Sequence, residues 1–249
     1  MSESLKLRGV VLRTVDYGES DRVVSLFTEE RGKVSCFARG ARASKRRFGG
    51  ALEPFTLLNA ELKEKRGAEL LFLESVSVER GFGHIREELA RIACAAYACE
   101  LARELVRDAE RHDDLFELLL HYLGRLDAAP AQPTALRVFE LGALRAAGLM
   151  PMLEACARCG APAPVLEPDE DVRVSFDPAH GGFVCLSCSP YVSTGAMRAG
   201  TRTATALRAL QVGFGRGEIA PLGVAEGAEA KQLLSRFIEH HLGHQLKSR

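Results

Sequence analysis

Apolar positions in the first eighty or so residues recur at intervals too short for a helix. Val10-Val11-Leu12 and Val23-Val24-Ser25-Leu26-Phe27 are β-branched or aromatic clusters bounded by turn residues such as Asp16-Tyr17-Gly18. Lys33 to Arg39 alternates in part and follows Gly32, while Phe55 to Leu62 and Leu70 to Val78 supply two more stretches. In the last of these, Val76 and Val78 alternate against Ser75, Ser77 and Glu79. Five predicted strands in so short a segment point to a small closed barrel.

Beyond Gly81 and Gly83 the spacing lengthens. Ile85, Leu89, Ile92 and Ala96 fall on one helical face, and the Ala/Cys-rich stretch after them predicts a helix packed on several sides. A second helix is expected from Asp113, read as its capping acid, with Leu115, Leu118, Leu119, Tyr122 and Leu126 at helical spacing. Pro130 and Pro133 open a third, which runs through Leu136, Phe139 and Leu144 until Gly148 and Pro151 stop it. From Cys156 to Cys188 the prolines and the Gly181-Gly182 pair leave no helical period, apart from a short hairpin of Val172, Val174 and Phe176 with Phe183 and Val184. Helices are expected to resume after Ser193-Thr194, the last marked by Leu234, Ile238 and Leu242. No internal repeat is visible.

The 249 residues are 47% hydrophobic and 27% charged, which excludes a disordered or collagen-like chain. The longest wholly apolar run, Ile92 to Cys99, is far short of the ~20 residues of a membrane helix. Charges throughout the first thirty positions (Glu3, Lys6, Arg8, Arg13, Asp16, Glu19) predict no secretory signal and a cytoplasmic protein, hence reduced thiols. The balance of 33 basic and 33 acidic residues hides local asymmetry: residues 1–80 carry +3, 81–155 −4, 156–192 −3 and 193–249 +4. Arg31 to Leu52 holds seven cations (Arg31, Lys33, Arg39, Arg42, Lys45, Arg46, Arg47) and no acid. Such a segment on a neutral chain is the footprint of an anionic partner.

Cys156-Ala157-Arg158-Cys159 and Cys185-Leu186-Ser187-Cys188 form two Cys-x-x-Cys pairs separated by 25 residues. Two such turns complete the tetrahedron that zinc prefers, and with all four positions filled by protein the site is expected to be structural. A disulfide or a redox Cys-x-x-Cys is the other reading of the same spacing. Cys36, Cys94 and Cys99 lie within apolar patterns and are expected to be small buried hydrophobes. His240, His241 and His244 place two imidazoles four residues apart; the alternative to metal binding is a favourable interaction with a helix C-terminus. Gly213-x-Gly215-x-Gly217 reads as a loop, and no phosphate loop, nucleophile elbow or His-Glu-x-x-His motif occurs.

Between Arg39 and Gly50 five cations sit among Gly, Ala and Ser, a composition that lets Arg and Lys follow an irregular single-stranded backbone; Phe37, Phe48 or Phe55 would supply stacking surface. A merely solvated loop is the competing reading, with Arg198, Arg202 and Arg208 as a second basic region.

The run Val11-Leu12-Arg13-Thr14-Val15-Asp16-Tyr17-Gly18-Glu19-Ser20-Asp21-Arg22-Val23-Val24-Ser25-Leu26-Phe27-Thr28 is followed by Gly32-Lys33, Ala38-Arg39-Gly40-Ala41-Arg42 and Leu52-Glu53-Pro54-Phe55. Together they resemble the N-terminal domain of the RecO family of bacterial DNA repair and recombination proteins. The resemblance continues through Gly148-Leu149-Met150-Pro151 before the first cysteine pair, Gly181-Gly182-Phe183 before the second, and a closing helix. It implies a multidomain α+β protein: an OB-fold barrel over residues 1–80 that binds DNA, then an all-helical domain over 81–249 with a four-cysteine zinc-binding insertion at 154–192. It further implies a non-catalytic, nucleoid-associated protein that binds single- and double-stranded DNA and anneals complementary strands. With RecR, such a protein loads RecA onto DNA coated by single-stranded DNA-binding protein. One structural zinc is expected on Cys156, Cys159, Cys185 and Cys188. DNA contact is expected from Arg39, Arg42, Lys45, Arg46 and Arg47, and from Lys33 and Arg13. Neutral overall charge and the absence of Trp depart from the usual DNA binder, so stacking falls to Phe or Tyr. Other classes compatible with the sequence are a zinc-ribbon adaptor acting in protein assembly and, against the four-cysteine set, a zinc nuclease or deaminase.

Overall fold

The computed structural model describes residues 3–44, 47–64, 67, 70–162, 172–213 and 220–248. The chain divides into two compact units, Met1–Ala131 with Lys247–Arg249, and Gln132–Leu246.

In the first unit five strands close into a barrel in the order β1-β2-β3-β5-β4. They are β1 (Glu3–Tyr17), β2 (Asp21–Thr28), β3 (Gly32–Ala38), β4 (Leu57–Glu64) and β5 (Leu71–Arg80). β1 is longer than its sequence predicts, running through Asp16 and Tyr17 before the turn, and it serves two partners. Its first half pairs with β4, from Glu3↔Glu64 to Val10↔Leu57, and its second half with β2. An irregularity between Val11 and Arg13 marks the change, as a bulge does where a strand must bend to close a barrel. β3 and β5 meet in parallel through Cys36↔Leu71 and Phe37↔Phe72. The period-2 pattern sends Val24, Leu26, Val34, Cys36, Leu58, Leu62 and Leu73 inward to one core.

Two helices complete this unit, α1 (Leu89–Leu105) and α2 (Asp113–Ala128). The predicted continuous helix from Ile85 does not form. Gly83–Glu87 is a separate 3-10 turn, and Glu88 is extended (φ −135°, ψ 126°), which resets the phase. Ile85 is buried but Leu89 is 81% exposed, and α1 buries Ala95, Ala98, Cys99, Leu101 and Ala102 instead. Asp113 is likewise not the cap of α2: His112 holds that position and makes no side-chain cap bond, while Asp113 and Asp114 lie in the first turn, where the helix dipole favours acids. Phe116 of α2 packs edge-to-face on Phe27 of β2 with centroids 5.5 Å apart, covering one end of the barrel's outer wall.

The second unit contains α3 (Pro133–Ala146), α4 (Thr201–Gly213) and α5 (Val224–Leu242). It also holds a three-stranded sheet in the order β7-β6-β8, from β6 (Arg173–Asp177), β7 (Gly182–Val184) and β8 (Met197–Gly200). The β6–β7 hairpin follows the predicted alternation. Helix resumes after Ser193-Thr194 as expected, but only at Thr201, because β8 intervenes: Met-Arg-Ala-Gly has little strand preference, and its state is set by pairing with β6, from Arg173↔Gly200 to Phe176↔Met197. Phe176 is fully buried against Phe183 and Phe237, at 5.1 and 5.9 Å between centroids. No helix among the described residues is long and apolar enough to cross a membrane.

Candidate metal centre and nucleic-acid surface

The four paired cysteines come together, with every sulfur within 4.8 Å of the others. In the first turn Gly160 N–H donates to Cys156 O at 2.9 Å, and Gly160 sits at φ +73°, a left-handed conformation open to glycine at little cost. In the second, Cys188 N–H and Ser189 N–H donate to Cys185 O at 3.1 and 2.9 Å. The two turns meet where Cys185 N–H donates to Cys156 Sγ at 3.3 Å and Cys159 Sγ lies 3.8 Å from Cys185 Sγ. A tetrahedron with Zn–S bonds of about 2.3 Å has edges of about 3.8 Å. The donor set and its spacing therefore fit a tetrahedral thiophilic cation, and no disulfide joins them.

The protons of this cluster are unequally held. Burial opposes ionisation of Cys156, yet backbone N–H groups of Cys185, Cys159 and Arg158 aimed at its sulfur bring it down to about 6. Burial and hydrogen bonds to the other three sulfurs push Cys188 up to about 12. The Cys156 thiolate forms readily, whereas the Cys188 proton leaves only when a positive charge replaces it.

The sequence did not reveal what holds the two turns in place. The fully buried Asp177, at the end of β6, accepts from Ala179 N–H (3.0 Å), His180 Nδ1 (2.7 Å), Ser193 N–H (2.7 Å) and Ser193 Oγ (2.6 Å). Ser175 Oγ meets Ser189 Oγ at 2.9 Å, so β6 grips the chain just after the second turn at two points. The first turn is fastened to β7 by Ala157 N–H to Phe183 O (2.7 Å). Beside it, a Cβ on Gly182 would stand 2.2 Å from Met152 O, so only glycine permits this approach. An acid in a proline-rich loop gives no local sign of such a role.

The remaining cysteines and histidines behave as structural residues. Cys36 and Cys99 are buried, and desolvation pushes both thiols up to about 12; Cys94 is half-buried. His241 Nδ1 is 2.9 Å from Phe237 O and His244 Nδ1 is 3.1 Å from Leu242 O, where α5 ends at Gly243. The Gly213–Gly217 motif falls largely outside the described residues.

The cationic loop after β3 is fastened to the β1–β2 turn. Gly40 N–H donates to Asp21 Oδ1 (2.7 Å), Arg42 N–H to Ser20 O (3.0 Å) and Arg42 Nη1 to Glu19 O (3.1 Å), with Arg42 Nε 3.7 Å from Asp16 Oδ2. Arg47 donates to Arg39 O at 2.7 Å and lies 4.9 Å from the centroid of Phe48. Arg39 and Arg47 are exposed, as is Arg13 on β1; Lys45 and Arg46 lie outside the described residues. Lys33 stands apart from this group: its ammonium is consumed by Arg103 O (3.1 Å) and Asp108 (3.2 Å). Phe48 and Phe55 are buried, 3% and 7% exposed, so neither offers a stacking face; Phe37 alone of the three expected aromatics reaches the surface. Of the second basic region, Arg198 donates to Arg173 O (2.8 Å), Arg202 is exposed and Arg208 is half-buried.

Fold and site together define a class of multidomain protein: an OB-like five-strand barrel with an attached cationic loop, a helical part, and a four-thiol cluster suited to one metal ion. Family models described as recombination protein O N terminal and C terminal match residues 1–82 and 86–249. The chain is similar to the DNA repair protein RecO of Anaeromyxobacter dehalogenans (strain 2CP-C), 60% identical over 99% of this chain and 95% of that one. The DNA repair protein RecO of Myxococcus xanthus is 48% identical over 96% and 93%, and that of Geobacter sulfurreducens 39% over 98% and 95%. The chain belongs to the RecO family of DNA repair proteins.

Proposed function

We propose that this chain is a non-catalytic DNA-binding mediator. It anneals complementary strands and, with RecR, loads RecA onto DNA coated by single-stranded DNA-binding protein. The observation that carries this reading is the acid-free cationic loop fastened to one end of an OB-like barrel, in a chain whose relatives bear the name DNA repair protein. Residues 1–80 are the DNA-binding domain, with Arg13, Arg39, Arg42, Lys45, Arg46 and Arg47 as phosphate contacts. Residues 81–249 are the helical domain by sequence, with the zinc-binding insertion at 154–192, and its first two helices, α1 and α2, belong to the same compact unit as the barrel. The protein acts in the cytoplasm, at the nucleoid.

Annealing is downhill once phosphate repulsion is neutralised and two strands are held at high local concentration, which requires cations and no nucleotide. Cys156, Cys159, Cys185 and Cys188 would hold zinc. When bound, zinc supplies a closed tetrahedral cross-link, and four thiolates leave it no position for water. Annealing of two labelled oligonucleotides, one coated with single-stranded DNA-binding protein, is expected to accelerate with this protein and to be indifferent to ATP. A strict ATP requirement, or hydrolysis lost on mutating this chain, overturns the non-enzymatic reading.

A further inference from the structure

One face of the barrel breaks the rule that outward strand positions are polar. The pairings Val15↔Val23, Val23↔Phe37 and Phe37↔Phe72 align four apolar side chains in a row across β1, β2, β3 and β5. All four have the parity opposite to the inward set of Val24, Cys36 and Leu73, so they stand on the outer wall. Tyr17 closes the row, its ring edge-to-face with Phe37 at 5.7 Å, and Phe37 meets Phe72 in the same manner at 6.0 Å. The row remains open to solvent: Tyr17 is 61% and Val15 43% exposed, and Val23, Phe37 and Phe72 are half-buried. The next row on the same face, Arg13↔Ser25↔Ser35, is polar. The apolar strip is thus one strand-residue wide, and core packing does not require it.

We propose that this strip is the platform on which the unpaired bases of single-stranded DNA stack. The inference deepens the DNA-binding reading above and rests on it. Charge complementarity selects the occupant. The cationic loop leaves β3 two residues after Phe37, and Arg42 is tied to Asp16, which lies between Val15 and Tyr17. Arg13 flanks the strip on its other side, and Lys63, paired with Phe72 across the sheet and with Glu74 by an ion pair of 2.7 Å, stands at its far end. The acids at its border are engaged, Asp16 by Arg22 and Arg42, Asp21 by Gly40 N–H and Glu74 by Lys63. An apolar π surface edged by Arg13 and the cationic loop thus matches a chain of bases bordered by phosphates. A duplex already stacks its bases internally and has none to offer a sheet wall. Rings held edge-to-face by their neighbours also lose little freedom when a base settles on them.

The test uses the full chain and compares Tyr17→Ser/Phe37→Leu/Phe72→Leu with the conservative Phe37→Tyr. Leucine keeps apolar volume at the two half-buried positions while removing the π face, and Tyr17 is exposed enough to be replaced without loss of core. The probes are a single-stranded oligonucleotide carrying 2-aminopurine, the same strand as a duplex, and thermal unfolding to verify the fold. Single-strand affinity is expected to fall at least about tenfold in the triple variant, as for the loss of stacking on one or two bases. The salt slope and duplex affinity stay unchanged, the 2-aminopurine quenching of the wild type disappears, and Phe37→Tyr behaves as wild type. A folded triple variant with undiminished single-strand affinity and quenching overturns the platform and leaves the DNA-binding reading standing, as does a variant altered only in self-association. A wild-type chain that binds neither form of DNA overturns both.

Discussion

The guanidinium of Arg158 lies over the ring of Tyr191, 4.3 Å from its centroid. Arg158 sits inside the first Cys-x-x-Cys and Tyr191 three residues after the second, so the two turns are linked by side chains as well as by sulfur. This contact, the Cys185 N–H bond to Cys156 Sγ and the double grip of β6 hold four thiols in near-tetrahedral proximity.

One zinc per chain is expected by elemental analysis of metal-replete protein. Structural zinc supplies on the order of 10 kcal/mol or more to its fold, so Cys185→Ser should lower thermal stability sharply and release the metal. Tyr191→Ala should retain zinc but release it to a chelator several-fold faster, since an exposed cation–π contact contributes about 0.5–1 kcal/mol. Zinc-free preparations, or a Cys185→Ser chain as stable as wild type, would count against the site.

Salt dependence measures the phosphate contacts. With about four cations engaged on a single strand at ~0.7 per phosphate, log K should fall against log salt with a slope of about −3. Reversing Arg42, Lys45 and Arg46 to Glu should weaken all sequences alike and flatten that slope. If binding is undisturbed, the DNA surface lies elsewhere, with Arg202 and Arg208 the next residues to reverse.

Asp177 makes the second unit acid-sensitive. Burial alone would raise its carboxyl, but donors from Ser193, His180 and Ala179 hold it at about 2 against an ordinary 3.8. Because the folded value is the lower one, its contribution is fully present above pH 4 and disappears as pH falls toward 2. It amounts to about 2 kcal/mol at ~1.4 kcal/mol per pH unit. The urea stability gap between wild type and Asp177→Asn, both in chelator, should therefore close across that interval; a gap constant with pH would refute the assignment.

Within α3, Arg137 donates to Glu140 at 2.8 Å, and both side chains are almost fully buried. Removing one partner strands a buried charge, so Glu140→Ala should cost about 3–5 kcal/mol by denaturant titration. Arg137→Met with Glu140→Leu should recover most of that loss. Equal loss in the single and double variants would indicate that packing rather than charge is at stake.

What was legible in the sequence was local. The inward alternation of Val34, Cys36 and Ala38 can be read without knowing their partners, and the cysteine spacing carries its own geometry. β8 was not legible because Met197–Gly200 becomes a strand only beside β6. The face of α1 was misassigned because Ile85, which belongs to a separate 3-10 turn on the other side of the extended Glu88, sets no phase for the helix that follows. Tyr17 and Phe72 escaped notice for a related reason: 55 positions apart in sequence, they join Phe37 only once the register of the barrel strands is known.

β1's double partnership also governs when the barrel can form. Its second half finds β2 across a short turn, but Glu3 to Val10 must wait for β4, roughly fifty to sixty residues further along. Local hairpins form early, and closing a long loop is entropically slower. During synthesis, therefore, the β1–β2–β3 meander emerges with half of its longest strand unpaired. That bare backbone edge is a site for association with other nascent chains until β4 leaves the ribosome. Substitutions that slow β4 pairing, such as a proline at Ala60, should thus reduce the yield of folded chain more than they reduce the stability of chains that have folded.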